Sequence, residues 1–376
     1  DKIAPDALLT FTQFAPVPKS EFEGIDPLQV QQAPFFQHPI GCGPFMVEEV
    51  NMKNYTILAP FDKYYNGVAD FKIQLLPSAG DSDPNVVTRA KSGNLDYGYT
   101  KMVADVQALE GTPGITVTPI DVRYTRLFYL NKFDKKDGSP APLADVRVRQ
   151  ALRYAIDMET ICETLFQGSA VPANALAPDA NLKGGDLNDY NYNPEKAKEL
   201  LAEANWDPNT VIKAVYYYTD QATVDLMTAV QAYLADVGIK MEFELVEGDL
   251  ATILWTAPAD QTNGPRAVDW DICYAANAAL SLHEYYDRYR TGSPTNSHTP
   301  EDAELNRLID ATNASADVNA QNEAFKELIK YENENLFTMA LYYQPIFLIT
   351  SDKIGDIQKG TPQFCINWGI QNWNVQ

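Results

Sequence analysis

Residues 211–245 read VIKAVYYYTDQATVDLMTAVQAYLADVGIKMEFEL, and this stretch decides the fold class. VIKAVYYYT alternates as a strand does, and residues 222–236 carry Met227, Val230, Leu234 and Val237 in helical register. Gly238 ends the helix, after which Ile239, Met241, Phe243 and Leu245 alternate again. Strand, helix and strand in immediate succession form a β-α-β unit, which predicts a parallel pair joined by a right-handed crossover and hence an α/β fold.

The same grammar extends in both directions. Upstream, Asn193 is a helix cap with Pro194 at the first helical position, and Ala197, Leu200, Leu201 and Ala204 fall on one face. Further back, PLADVRVRQALRYAIDMETICETLFQG at 142–168 reads as two helices. Asp145 caps the first, whose apolar stripe is Val148, Ala151, Leu152 and Ala155, with Arg147, Arg149 and Arg153 outside it. Asp157 caps the second, and Gly168 supplies a left-handed terminus. Downstream, DWDICYA at 269–275 is the next strand of the sheet, and helices follow at 301–313 and 317–334.

The first hundred or so residues are also mixed α/β. MVEEV at 46–50, YTILAP at 55–60 and FKIQLLP at 71–77 are strand-like, and helices at about 83–92 and 101–109 flank the strand LDYGY. ITVTPIDVRYTRLFYLN at 115–131 alternates over more than one strand's length, which suits a segment passing between lobes with a hinge near 121–131. YYQPIFLIT at 342–350 is the expected return. The expected division is therefore a first lobe at 1–123, a second at 124–350 that includes the hinge strands, and a return to the first lobe at 351–376.

Composition limits the function. A chain of 376 residues, 45% hydrophobic and 21% charged, suits a large protein of two or more lobes, and no apolar run approaches the roughly 18 residues of a membrane span. The net charge of −22 excludes nucleic acid and anionic membrane surfaces as partners, because phosphate neutralisation needs clustered Lys and Arg. Acidic residues are spread along the whole chain, as on a solvated surface. Cys42, Cys162, Cys273 and Cys365 form no C-x-x-C. Two disulfides are open to an exported protein, but a core of this size needs no staples, and buried free thiols are the expectation.

No enzyme signature is present. His38, His283 and His298 are the only histidines, and none stands in H-E-x-x-H or beside a nucleophile motif. GCGPF at 41–45 lacks the G-K-[ST] ending of a phosphate loop and reads as a tight turn. Paired carboxylates of a glycosidase are invisible to sequence, because they are defined by separation in space. A secreted hydrolase of that kind is the alternative from another class; a binding protein without cofactor or metal is the primary reading.

The wording of 145–157 resembles the D-x-R-V-R-Q-A-L-x-x-A-I-D block of the family 5 extracellular solute-binding proteins, the peptide-type receptors of ABC importers. Other stretches follow in the family's order: GCGPF beside its G-T-G-P-Y, then KSGNLDYG at 91–98, Tyr129-Leu130-Asn131, YNPEKAKELLAEA at 192–204, DVGI at 236–239, DWDI at 269–272 and PEDAELNRLIDAT at 300–312. The resemblance implies a two-lobed periplasmic-binding-protein-like fold (type II, cluster C-like) that closes on its solute. It also implies a monomeric, extracellular or periplasmic protein, free or lipid-tethered, that hands a short peptide to permease subunits. A receptor feeding a sensor is a variant of this reading. Relative to the family, the chain starts late, so a first segment, a small extra domain and an export signal are expected outside it.

The resemblance also suggests where ligand is held. Peptide-binding relatives place an aspartate a few residues beyond the D-x-D strand to take the ligand's ammonium. Here CYAANAALSLHEYYD at 273–287 offers Tyr274, Asn277 and His283 but no carboxylate before Glu284. Either Glu284 or Asp287 takes over the amine, or the ligand lacks one. Tyr124 and Tyr129 on the proposed hinge complete a peptide site, with core packing as their competing role. A cello-oligosaccharide would instead want Trp255, Trp270, Asn277 and Trp368, and a nickel chelate His283.

Overall fold

A computed structural model describes residues 16–51, 53–78, 83–120, 124–178, 186–278, 283, 286–355, 357 and 369–376. The described residues divide into two compact units, 124–345 and, discontinuously, 16–120 with 346–376. The chain passes between them after 120 and again at 345–346.

The discontinuous unit begins with an antiparallel sheet of β1 (Phe45–Asn51), β2 (Tyr55–Pro60) and β3 (Ile73–Leu75). The residues of GCGPF before Phe45 form a bend, and Phe61 donates its N–H back to Pro44. Helices α1 (Val86–Lys91) and α2 (Val103–Leu109) accompany β4 (Tyr97–Thr100) and β5 (Ile115–Ile120). The central strand between β4 and β5 is β12 (Ile346–Ser351), antiparallel to both. Val86, Ala90, Leu109 and Ile349 form this unit's small core. Near the C-terminus β13 (Ile354–Gly355) pairs with β14 (Asn374–Val375).

The continuous unit is built on six strands in the order β7-β11-β6-β10-β8-β9. Their ranges are β6 (Tyr124–Leu130), β7 (Val171–Pro172), β8 (Val211–Tyr216), β9 (Lys240–Leu245), β10 (Ile272–Ala278) and β11 (Thr338–Tyr343). The β-α-β unit is present: β8 and β9 run parallel from Val211↔Lys240 to Tyr216↔Leu245, and β10 joins β8 in parallel. Both neighbours of β6 are antiparallel to it. Tyr124–Leu130 is thus a central strand of this sheet.

Strand alternation sends side chains to two helical layers. Phe128, Leu130, Ile272, Tyr274, Ile212 and Ala214 face α3 (Val146–Ala155), α4 (Met158–Thr164), α5 (Pro194–Glu203) and α6 (Gln221–Asp236). Leu127, Tyr129, Cys273 and Val215 face α7 (Leu250–Trp255), α8 (Ala303–Thr312) and α9 (Val318–Asn335). Each of the seven helices just named starts on an acidic or amide cap that accepts a backbone N–H: Asp145, Asp157, Asn193, Asp220, Asp249, Asp302 and Asp317. Each cap contributes about 1 kcal/mol. Part of the acidic surplus is therefore structural. Gly168 and Gly238 stand at φ 76° and 86°, the left-handed conformation their helix ends require.

Two arginines outside the apolar stripe of α3 are not on the surface. Arg149 and Arg153 are 5% and 4% exposed. Arg149 donates to the carbonyls of Leu143, Ala144 and Asn335, and Arg153 to those of Tyr190 and Ala173. Burial lowers both to about 10, which leaves them charged at neutral pH. Arg147 remains half-exposed and pairs with Asp145.

Cys42, Cys162 and Cys273 are free thiols, the last two buried and Cys42 exposed; Cys365 lies outside the described residues. Burial pushes Cys162 up to about 12 and Cys273 upward as well. Iodoacetamide at about pH 8 is expected to alkylate Cys42 in the native protein and spare Cys162 and Cys273 until denaturant is added, because the thiolate is the nucleophile. Native-state labelling of either buried thiol, read by peptide mapping, would contradict this packing. Among the described residues no helix is long and apolar enough to cross a membrane.

Candidate functional site

In open α/β sheets the carboxyl ends of parallel strands are where loops leave and ligands gather. In the continuous unit these ends belong to β8, β9 and β10, and β6 begins and β11 ends at the same edge. Five side chains there form one connected group. Arg126 on β6 is paired across the sheet with Ala276 on β10 and Tyr342 on β11. Its guanidinium carbon lies 4.3 Å from the ring centroid of Tyr218, just beyond β8, and 5.9 Å from that of Tyr274. Tyr274 and Tyr342 share a hydroxyl hydrogen bond of 2.7 Å, as do Tyr217 and Tyr218 at 3.0 Å.

The electrostatics of this edge follow from burial. Tyr342 is raised well above the ordinary phenol range, first by burial and then by neighbouring Tyr274, while Arg126 works in the opposite direction. The Tyr342 hydroxyl is therefore neutral and polar at physiological pH. A guanidinium against an aromatic face is stabilised by the ring quadrupole and held in one plane, so its donors are aimed in advance. Thr125 and Tyr343 fix the strand ends to the segment at 175–176, donating to the carbonyls of Leu176 and Ala175 respectively.

The residues expected from sequence fall into separate places. Tyr274 and Asn277 belong to this edge, Asn277 half-buried opposite Thr125. Tyr124 opens β6 opposite Ala278, and its side chain lies outside the described residues, as do Glu284 and Trp368. Tyr129 and Trp270 lie on the other face of the sheet, 0% and 1% exposed. They pack against the half-buried Trp255, whose ring centroid is 4.9 Å from that of Tyr129. This aromatic group is core, with Arg288 4.4 Å over Trp255. His283 is apart from both, its Nδ1 3.2 Å from the Thr312 hydroxyl and its ring against Phe325.

Arg126, Tyr217, Tyr218 and Tyr342 are the edge residues that sequence reasoning did not single out. The available signals were an arginine inside the otherwise apolar TRLFYL and a tyrosine pair directly after a parallel strand. Chemically the group can orient a polar or anionic solute. His298 is fully buried and held neutral by burial, with Lys132 and Arg288 acting in the same direction. Among the described residues no three His, Cys, Asp or Glu side chains converge as metal ligands.

Comparison with known proteins places the chain in a family. A putative ABC transporter peptide-binding protein of Brucella ovis is 28% identical over 244 residues, 63% of this chain and 44% of that protein. The chain thus spans less than half the length of the curated relatives it matches. A putative peptide binding protein AppA from Clostridium difficile shares the fold with a TM-score of 0.81 at 18% identity, over 98% of this chain and 74% of that one. NikZ from Campylobacter jejuni, solved in complex with Ni(L-His), gives 0.75 at 17% identity, over 95% and 72%. The fold is therefore the two-lobed α/β fold of periplasmic binding proteins. The profile of the bacterial extracellular solute-binding proteins, family 5 (Middle), matches residues 2–299, more than half of the 376 residues, and the chain belongs to that family.

Proposed function

We propose that this protein is the solute-capturing component of an ABC importer, working outside the cytoplasmic membrane and delivering a short peptide to permease subunits. The observation that carries the peptide reading is the tyrosine and arginine group at the carboxyl edge of β8 and β10. It combines apolar ring faces with neutral hydroxyls and one fixed cation, a mixture suited to a backbone of amides ending in a charge. The Brucella ovis relative, described as peptide-binding, supports the same class of solute.

A thermal-shift panel tests the assignment. A ligand at about 100 times its dissociation constant stabilises the fold by about 2.7 kcal/mol, a readily measured rise in midpoint. Mixed tri- to pentapeptides are expected to raise the midpoint, and cello-oligosaccharides and Ni(L-His) are not. A shift with the sugars or the nickel complex alone would overturn the peptide assignment and leave the transport role with another cargo. Steady product formation from a peptide or oligosaccharide would replace a binder by a hydrolase.

A further inference from the structure

The sequence holds two Asn–Gly pairs, 66–67 and 263–264, and one Asp–Gly pair, 137–138. In such a pair the glycine nitrogen can close on the preceding side-chain carbonyl, because no Cβ obstructs the approach. Closure is blocked where that nitrogen already donates its hydrogen inside an ordered turn. Two of the three pairs are blocked in this way. Gly264 donates its N–H to the Asp260 carbonyl at 3.1 Å, and a Cβ built on Gly264 would stand 2.5 Å from that oxygen, while Asp260 Oδ1 accepts the N–H of Asn263. Gly138 donates to the Lys135 carbonyl at 2.9 Å. The Asp137 carboxylate accepts both the hydroxyl and the N–H of Ser139, which lowers its pKa and keeps it in the unreactive ionised form. Asn66 and Gly67 differ. Both are exposed in the segment between β2 and β3, and among the described residues the Gly67 N–H makes no hydrogen bond.

We propose that Asn66 is a self-modification site of the native protein, converted by water to aspartate and isoaspartate while Asn263 and Asp137 persist. The Gly67 nitrogen loses its proton to base and attacks Cγ of Asn66; the Cγ–Nδ2 bond breaks, ammonia leaves, and a succinimide ring remains. Water then opens either imide C–N bond, giving aspartate or isoaspartate. No oxidant, reductant or enzyme enters. The product bears on the fold because Gln371 donates its side-chain amide to the Asn66 carbonyl at 3.2 Å, and a Cβ added to Gly67 would stand 3.3 Å from Asn372 Oδ1. In isoaspartate that carbonyl becomes a side carboxylate and the backbone gains a carbon, so the acceptor of Gln371 leaves the chain. Gln371 is buried in the turn Ile370–Asn372, which leads to Trp373, itself buried against Tyr97.

Peptide mapping of the whole chain, incubated at mildly alkaline pH in water enriched in heavy oxygen, tests this. Asn66 is expected to take up label at least about 10-fold faster than Asn263, because a hydrogen-bonded amide reacts only through local opening. In urea, where both Asn–Gly pairs are released, the two rates are expected to converge. Asn66→Gln is expected to abolish the reaction at 66 and to leave the melting midpoint and the other two pairs unchanged. In the isoaspartate form, isolated by ion exchange, hydrogen exchange of the Trp373 N–H, which donates to the Ile370 carbonyl, is expected to accelerate. Native Asn263 or Asp137 reacting as fast as Asn66 would overturn the proposal, as would an Asn66 that stays intact in the folded protein while the unfolded chain reacts. Unchanged exchange at Trp373 would overturn the link to the C-terminal turn.

Discussion

Asp271→Ala is expected to lower the unfolding free energy by about 3–5 kcal/mol, the cost of stranding a buried charge. The Arg266–Asp271 pair is 2.8 Å long with side chains 3% and 2% exposed. Asp271 also accepts the backbone N–H of Lys213 on β8 through its other oxygen, while its own N–H donates to the Lys213 carbonyl. Its carbonyl takes the N–H of Asn131 at the end of β6. Arg266 meanwhile donates to the carbonyls of Phe133 and Trp270. Asp271 thus joins three strands at the start of β10, to β6 through its backbone carbonyl and to β8 through backbone and carboxylate, and removal of the carboxylate leaves a guanidinium without its counter-ion. Urea unfolding measures the loss. The double variant Arg266→Met, Asp271→Ala is expected to lose less than the sum of the single losses, since neither charge is then stranded. Additive losses, or single losses below about 1 kcal/mol, would show that the pair does not hold this corner.

Arg149→Met is expected to cost about 3 kcal/mol, against less than about 1 kcal/mol for Arg147→Met two residues earlier. Methionine keeps most of the apolar stem but none of the donors. Arg149 makes four hydrogen bonds to three carbonyls, at 2.9 Å and 2.7 Å to Leu143 and Ala144 and at 3.0 Å and 2.7 Å to Asn335. Asn335 ends α9, where Leu336 turns the chain at φ 44° into β11. The substitution orphans a helix terminus inside the protein. Arg147 pairs with Asp145 at a half-exposed site, where solvent screens the pair. Arg149→Lys is expected to recover less than half of the loss, because an ammonium cannot span the three acceptors. Equal effects at 147 and 149 in denaturant unfolding would refute the contrast.

The two arginines show where reading a sequence stops. Spacing assigned α3 its apolar stripe correctly, and Asp145, Asp157 and Asn193 cap the helices they were expected to cap. Those are local relations, complete within a few residues. The acceptors of Arg149 at Asn335 lie far away in the chain, and no window around the helix contains them. The site was divided for the same reason. Tyr129 and Tyr274 both occupy apolar strands and both are buried, and only the pairing of β6 with β10 decides which ring packs toward α7–α9 and which meets Arg126. The short elements β7 and α7 carry too few residues to show a period.

The strand β12 has a consequence for how the molecule is made. It is the middle of the β4-β12-β5 sheet, yet it follows the entire continuous unit in the sequence. During synthesis all six strands of the larger sheet have been made by Tyr343, whereas β4 and β5 must wait across more than two hundred residues for the strand that joins them. Such non-local pairing is slow, and unpaired edges are exposed until it occurs. Vectorial folding should therefore complete the continuous unit ahead of the β4-β12-β5 sheet, and a chain ending at Pro345 should contain the finished β1-β2-β3 and six-stranded sheets and two strands still lacking their common neighbour.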